Sequence, residues 1–409
     1  MHKFNVRMNK LFQTFGLVLF LTTQISFAQD NTITTPSFGK GLINYTAADS
    51  TFSTKVSARI QSRFNSTWNY DNNEYGNAEY NFIIRRARLK FDGWAYSPKL
   101  KYKIELGLSN RDLGGINSFT NNAPNQILDA VIMWSFAKNW ELWAGQTKLP
   151  GNVERVVSSA NLQFIDRSIL NSRFNIDRDL GFQIRHKSSW GNDFITKEKF
   201  ALSQGEGRNV TKGNQGGLQY TMRMEALPFG EFEKKGDYVE ADLEREQQFK
   251  LMLAYTYNFN ADAVKTRSGM GDYMYNDTGL FQTDITTHFV DVVAKYKGWS
   301  LLTEMTQRDA LAPVATNSDG TSTGDVVLVG KALNTQMGYL FKNNLELALR
   351  YSKIKYDQIT GSSNPKEITL GLSKYVVGHK LKFQADITKA TIDNNPNKIV
   401  VRTGFELHF

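Results

Sequence analysis

The run Phe52-Ser53-Thr54-Lys55-Val56-Ser57-Ala58-Arg59-Ile60-Gln61-Ser62-Arg63-Phe64 decides the fold. Phe52, Val56, Ala58, Ile60 and Phe64 occupy even positions, and Lys55, Arg59, Gln61 and Arg63 fall between them. A period of two is the pattern of a strand whose two faces meet different surroundings. The pattern recurs along the chain. Ala87, Leu89 and Phe91 oppose Arg86, Arg88, Lys90 and Asp92; Leu100, Tyr102, Ile104 and Leu106 oppose Lys101, Lys103 and Glu105. The last run places Val401, Thr403, Phe405, Leu407 and Phe409 on one side. About sixteen such runs, most of them about ten residues long, match the span of a tilted transmembrane strand.

The connections alternate in length. Short ones occur at 96–99, 137–139, 297–298, 342–344 and 377–379, and long polar ones at 109–127, 150–177, 258–285 and 309–331. Outer-membrane barrels have short periplasmic turns and long extracellular loops. The expected fold is therefore an all-β, antiparallel transmembrane barrel of about sixteen strands. Residues 228–248 break the rule, with a charged insertion where a short turn belongs; it reads as an extended periplasmic connection. Trp94, Tyr96, Trp134, Phe136, Trp140, Tyr296, Trp299 and Phe341 bracket the short turns, as an interfacial aromatic girdle predicts.

Composition narrows the function. The 409 residues include 22% charged side chains, 12% aromatics and no cysteine. A mean hydropathy of −0.42 excludes a helical membrane bundle. The missing thiols exclude disulfide scaffolds, thiolate catalysis and Cys-ligated metals. At the N-terminus, Lys3, Arg7 and Lys10 precede an apolar stretch from Leu11 to Leu21, and Ser26-Phe27-Ala28 supplies small residues at a cleavage site. That is the pattern of a secretory signal peptide, too short to span a bilayer. The expected organisation is a signal peptide at 1–28, a periplasmic N-terminal segment at 29–51 and a barrel at 52–409. Removing 1–28 lowers the formal charge from +9 to +6.

Phe82-Ile83-Ile84-Arg85-Arg86-Ala87-Arg88-Leu89-Lys90-Phe91-Asp92-Gly93 resembles an early strand of the phosphate-selective porin O and P family. Gly145-Gln146-Thr147-Lys148-Leu149-Pro150, Phe164-Ile165-Asp166-Arg167-Ser168 and Leu227-Pro228-Phe229-Gly230 resemble the same family. The resemblance implies a sixteen-stranded, homotrimeric porin with an anion-selective, Arg- and Lys-lined pore. It also implies that loop 150–177 folds inward to narrow that pore, against the simpler reading of a solvated outer loop.

The lumen chemistry agrees with anion preference, because Arg and Lys along a pore wall favour anions. Arg59, Arg63, Arg86, Arg88, Lys90, Lys101 and Lys103 share the polar parity of the first three strands and are the expected anion-binding residues. Arg155, Arg167 and Arg173 are the constriction-loop candidates. The turn at 96–99 pairs Lys90 with Glu105 and Asp92 with Lys103. The first hairpin brings Arg59 near Arg86 and Arg88, with no acid on those two faces to answer them. Opposed like charges disfavour a closed strand pair, so solvent or a bound anion is expected there.

Other chemistries find little support. The histidines of the mature chain, at 186, 288, 379 and 408, lack ligand spacing, so neither a metal nor a cofactor is expected. No nucleophile elbow or phosphate-binding glycine loop occurs. The cations alternate along strands instead of clustering on one exposed face, which argues against nucleic acid. The expected function is a non-enzymatic outer-membrane porin passing small hydrophilic solutes. Anions such as phosphate or polyphosphate are its expected partners, with outer-membrane lipid around it. The competing readings are a barrel enzyme with a site at the rim and a surface-binding or adhesin barrel with a closed lumen.

Overall fold

Period-two alternation closes on itself. The computed structural model describes residues 32–34, 36–191 and 193–409, and the expected signal peptide lies outside them. Sixteen strands form the wall: β1 Phe52–Asp71, β2 Glu79–Ala95, β3 Ser97–Gly107, β4 Ile127–Ala137, β5 Trp140–Lys148, β6 Arg178–Trp190, β7 Phe194–Ser203 and β8 Gln219–Leu227 make the first half. The second half is β9 Lys250–Ala263, β10 Thr283–Tyr296, β11 Trp299–Ala310, β12 Gly330–Leu340, β13 Leu345–Tyr356, β14 Pro365–Val377, β15 Leu381–Ile392 and β16 Asn395–His408. Each pairs antiparallel with its neighbour in the chain. β16 then pairs with β1, from Lys398 opposite Asn69 to His408 opposite Arg59. Closure removes every exposed edge, which a bilayer demands because no water is present to satisfy a free edge. The segment before the barrel adds Ile43–Thr46 against Ser53–Val56 at the periplasmic end of β1.

The turns follow from local backbone chemistry. Lys297-Gly298 reverses β10 into β11 with both residues at positive φ, 47° and 92°, the primed geometry that matches strand twist. Trp134, Trp140 and Trp299 lie beside such turns and are 49%, 37% and 50% exposed, as members of a girdle facing lipid headgroups. Trp94 is different. It shares the parity of Lys90 and Asp92, so it stands on the lumen side of β2 and not in the girdle.

The lumen is filled on one side. Loop 150–177 folds inward and carries two short helices, α1 Val153–Val156 and α2 Ile169–Phe174. Leu170 and Phe174 pack against the inward-facing Ala201, Phe289, Ala332 and Ile354. Insertion 228–248 turns back into the barrel mouth. Its Phe232 joins Val153, Val157 and Leu162 over Leu227, Met252, Val293 and Leu302. Under these two segments the inward face of β8–β11 mixes apolar side chains with buried charges: Glu304 accepts from the Glu154 amide at 2.7 Å and Arg223 donates to the Gly151 carbonyl at 3.0 Å. The opposite wall, β1–β6, keeps its charged lining.

A candidate anion-permeation site

The wall of β1 and β2 builds the first part of the site. The expected register holds: Arg59 lies opposite Arg88, Lys90 opposite Glu105 and Asp92 opposite Lys103. One irregularity changes the chemistry. Between Gln61 and Ser62 the register shifts, so that Gln61 faces Arg86 and Ser62 faces Ile84. The extra residue is Arg85. A bulge lets two successive side chains turn the same way, and Arg85 and Arg86 both reach Asp166, at 2.9 and 3.5 Å.

The arginine cluster is not left unanswered, and the expectation drawn from the two strand faces alone is corrected here. Its acids arrive from elsewhere. Arg59 is 5% exposed and pairs with Glu406 of β16 at 2.8 Å, and it donates to the Ser159 hydroxyl and carbonyl at 2.8 and 2.7 Å. Arg63 pairs with Asp166. Arg88 reaches Glu105 at 3.0 Å and Asp112 at 3.5 Å. Lys90 holds Asp92 at 2.7 Å, and Lys103 holds Asp129 at 2.8 Å and Glu105 at 3.2 Å. Lys101 is exposed and has no ion-pair partner among the described residues. Burial would raise the Asp166 carboxyl, but Arg85, Arg86 and Arg63 outweigh it and hold the group well below the usual carboxylate range. Asp166 is therefore an anionic knot that ties the inward loop to β1 and β2.

Above this knot lies a polar cavity of about 580 Å³. It lies between β2, β5 and β6, the inward loop and the outer loops. β2 contributes Arg85, Arg86 and Arg88; β5 and β6 contribute Lys148 and Arg178. The inward loop adds Arg155 and Arg167, and the outer loops add Arg111, Arg208, Lys265 and Arg267. Eleven cations thus face three carboxylates, Asp112, Asp177 and Glu206.

Pairing divides the cations into two sets. Arg85, Arg86, Arg88, Arg155 and Arg178 each lie within 4.0 Å of a carboxylate, including Arg155 on Asp177 and Arg178 on Asp129. Arg111, Lys148, Arg167, Arg208, Lys265 and Arg267 do not, among the described residues. Several of these six donate to carbonyls: Lys148 to Val156 at 3.0 Å, Arg167 to Glu154 at 2.7 Å and Lys265 to Glu206 at 2.6 Å. A carbonyl orients a cation without cancelling its charge. Burial and the nearby Arg155 push Arg167 down to about 9, and burial pushes Lys265 down to about 8 against the pull of Glu206. Both are charged at neutral pH.

Of the residues singled out in the sequence, Arg86, Arg88, Arg155 and Arg167 line this cavity. Arg59 and Arg63 lie outside it, in ion pairs, and Arg173 is exposed and also outside the lining. The residues missed were Arg85, Lys148 and Arg178 on the strands, and the loop cations Arg111, Arg208, Lys265 and Arg267. Strand parity points Arg85 toward lipid, and only the bulge turns it inward. The loop cations carry no periodicity to read.

The barrel resembles solved outer-membrane channels. These are an anion-selective porin from Comamonas acidovorans (TM-score 0.52, 11% identity, 88% of this chain and 100% of that one), DcaP of Acinetobacter baumannii (0.51, 12%, 88% and 99%) and OmpF of Salmonella typhi solved with daunomycin (0.55, 13%, 88% and 98%). At these identities the likeness is one of fold. No curated protein matches the sequence. A family model matches residues 54–409, the whole barrel apart from its first two residues, and by that match the chain belongs to the phosphate-selective porin O and P family and is an outer-membrane porin.

Proposed function

We propose that this porin passes small anions, with phosphate-class oxyanions preferred, along the wall of β1–β6. The observation that carries the reading is the cavity in which eleven cations face three carboxylates and, among the described residues, six of the cations have no carboxylate partner within 4.0 Å. Such a lining raises the local concentration of anions and repels cations. The arginine fork suits tetrahedral oxyanions, and lysine adds a mobile point charge. Lys103 and Lys90, 29% and 31% exposed, and the exposed Lys101 continue the positive wall toward the periplasmic mouth. An anion leaving the cavity thus meets weaker, partly compensated donors, which lets it move on. The signal peptide at 1–28 directs export, and the barrel works as a homotrimer; both readings rest on the N-terminal pattern and the family. The comparison porin from Comamonas acidovorans is described as anion-selective, which agrees.

The test is the reversal potential of the purified protein in planar bilayers under a potassium chloride gradient, repeated with phosphate. An anion-selective current that phosphate reduces is the expected result. Cation selectivity would overturn the proposal. Anion selectivity without any phosphate effect would remove the oxyanion preference and leave a general anion channel.

A further inference from the structure

The outward face of the barrel carries a second positive cluster, unrelated to the pore. On β8 and β9 the outward positions near the loop end are Tyr220, Met222, Tyr257 and Phe259, an ordinary lipid-facing set. On β12–β15 the equivalent zone holds Lys331, Lys353, Lys355, Lys366 and Lys389. Their inward neighbours, such as Ala332, Ile354 and Ala390, are buried, so the lysines point away from the lumen. Lys331, Lys353, Lys355 and Lys389 are exposed. Each of the five lies among the last four residues at the long-loop end of its strand. The pairing register sets Lys331 directly opposite Lys355, and Lys353 directly opposite Lys366. Directly opposed like charges are destabilising. Among the described residues none of the five has an ion-pair partner, and the neighbouring outward acid, Asp309, accepts from Gln307 at 2.9 Å.

Beneath three of these lysines runs a groove of about 520 Å³ on the membrane face. Val290, Met305 and Leu333 form its apolar floor, and Lys331, Lys353 and Lys355 stand at its rim. Snorkelling accounts for a lone lysine at a membrane boundary. It does not account for two opposed pairs above an apolar groove. We propose that this face binds an outer-leaflet lipid with a phosphorylated headgroup, its acyl chain in the groove and its phosphates between the lysines. Clusters of lysine beside a membrane recognise anionic headgroups in this way. A free phosphate would have no use for the groove floor, so the occupant is the lipid.

The test compares binding of bis-phosphorylated lipid A, the same lipid after dephosphorylation, and inorganic phosphate to the detergent-purified full barrel. The native protein is expected to prefer the phosphorylated lipid by at least about tenfold, and millimolar inorganic phosphate is expected not to displace it. Combined Lys331→Gln, Lys353→Gln, Lys355→Gln and Lys366→Gln should abolish the preference and leave pore conductance unchanged, whereas Lys→Arg at the same positions should retain it. Equal affinity for the two lipids overturns the proposal using the native protein alone, whatever the variants do. An unchanged preference in a conducting Gln variant overturns it too, as does displacement of the lipid by inorganic phosphate.

Discussion

A lumen arginine can be held or free, and the two states predict opposite phenotypes. Arg59 is held: it joins β1, β16 and the inward loop through Glu406 and Ser159. Removing one partner of a buried pair costs ~3–5 kcal/mol. Arg59→Ala should therefore lower the unfolding midpoint in urea while anion preference changes little; a stable variant with lost selectivity would reverse the assignment. Arg208 and Lys265 line the cavity, and among the described residues neither has a carboxylate within 4.0 Å. Arg208→Gln with Lys265→Gln should move the reversal potential toward zero at unchanged stability. Because Lys265 sits at about 8, it is charged at pH 7 and loses its proton as pH rises. Anion preference should fall between pH 7 and 9, and Lys265→Gln alone should make that fall shallower. A flat profile in the native channel would remove Lys265 from the pathway.

At the scale of elements, the inward loop is held mainly through its backbone. Lys382 donates to the carbonyls of Ala160 and Leu162 at 3.0 and 2.8 Å, Gln384 and Ser373 to Gln163 at 2.9 and 3.0 Å, and Arg308 to Phe174 at 2.8 Å. Its tip also needs space. A Cβ at Gly371 would lie 2.8 Å from the Phe164 ring, and one at Gly338 would overlap the Gln163 amide. Overpacking typically costs ~1–3 kcal/mol, enough to unseat a loop tip. Gly371→Val should give a folded barrel with altered and noisier conductance; native single-channel traces would show that the contact does not position the loop. The insertion grips the same loop. Glu240 accepts from the Gln163 amide at 2.7 Å, and its own amide donates to the Asn161 carbonyl at 3.0 Å. Burial and the nearby Glu154 raise the Glu240 carboxyl to about 7. The unfolded value is ~4.3, so the folded state binds the extra proton in between. This contribution to stability is complete below the unfolded value, declines as pH rises toward 7 and is lost above it. Glu240→Gln should therefore be more stable than the native protein at pH 8 and similar at pH 5, read as the temperature at which the folded band disappears in an unboiled gel. Equal midpoints at pH 8 would count against a buried, proton-holding Glu240.

For the whole molecule, the division of the lumen matters most. Loop 150–177 and insertion 228–248 pack against β7–β15, the loop crosses to β1 and β2 at Ser159 and Asp166, and the cationic cavity lies on the far side of that crossing. Lys295 of β10 donates to the carbonyls of Val239 and Ala241, at 2.9 Å for the first, and Asp242 accepts from the Gly298 amide at 2.7 Å. The insertion is thus an extended connection between β8 and β9 that also forms part of the plug. Replacing 231–247 with a two-residue Asn-Gly turn should leave the closed sixteen-strand barrel intact and raise single-channel conductance. Unchanged conductance would mean that the inward loop alone sets the bore.

The barrel was legible in the chain because a membrane strand must satisfy lipid on one face and water on the other, which writes a period of two into every strand. Strand number, the β2–β3 register and the basic character of the β1–β3 lumen face all followed from that. Partners did not follow, because they come from remote parts of the chain. Glu406 answers Arg59 only when β16 closes on β1, and Asp166 answers Arg63, Arg85 and Arg86 only when the loop crosses the lumen. The inward turn of Arg85 depends on a bulge that shifts parity by one, and the loop cations of the cavity have no period at all. Local alternation is a property of each strand alone and can be read from it; which of these lumen arginines are cancelled depends on partners 80 to 347 residues away in the chain, and only the closed barrel with its inward loop brings those groups together.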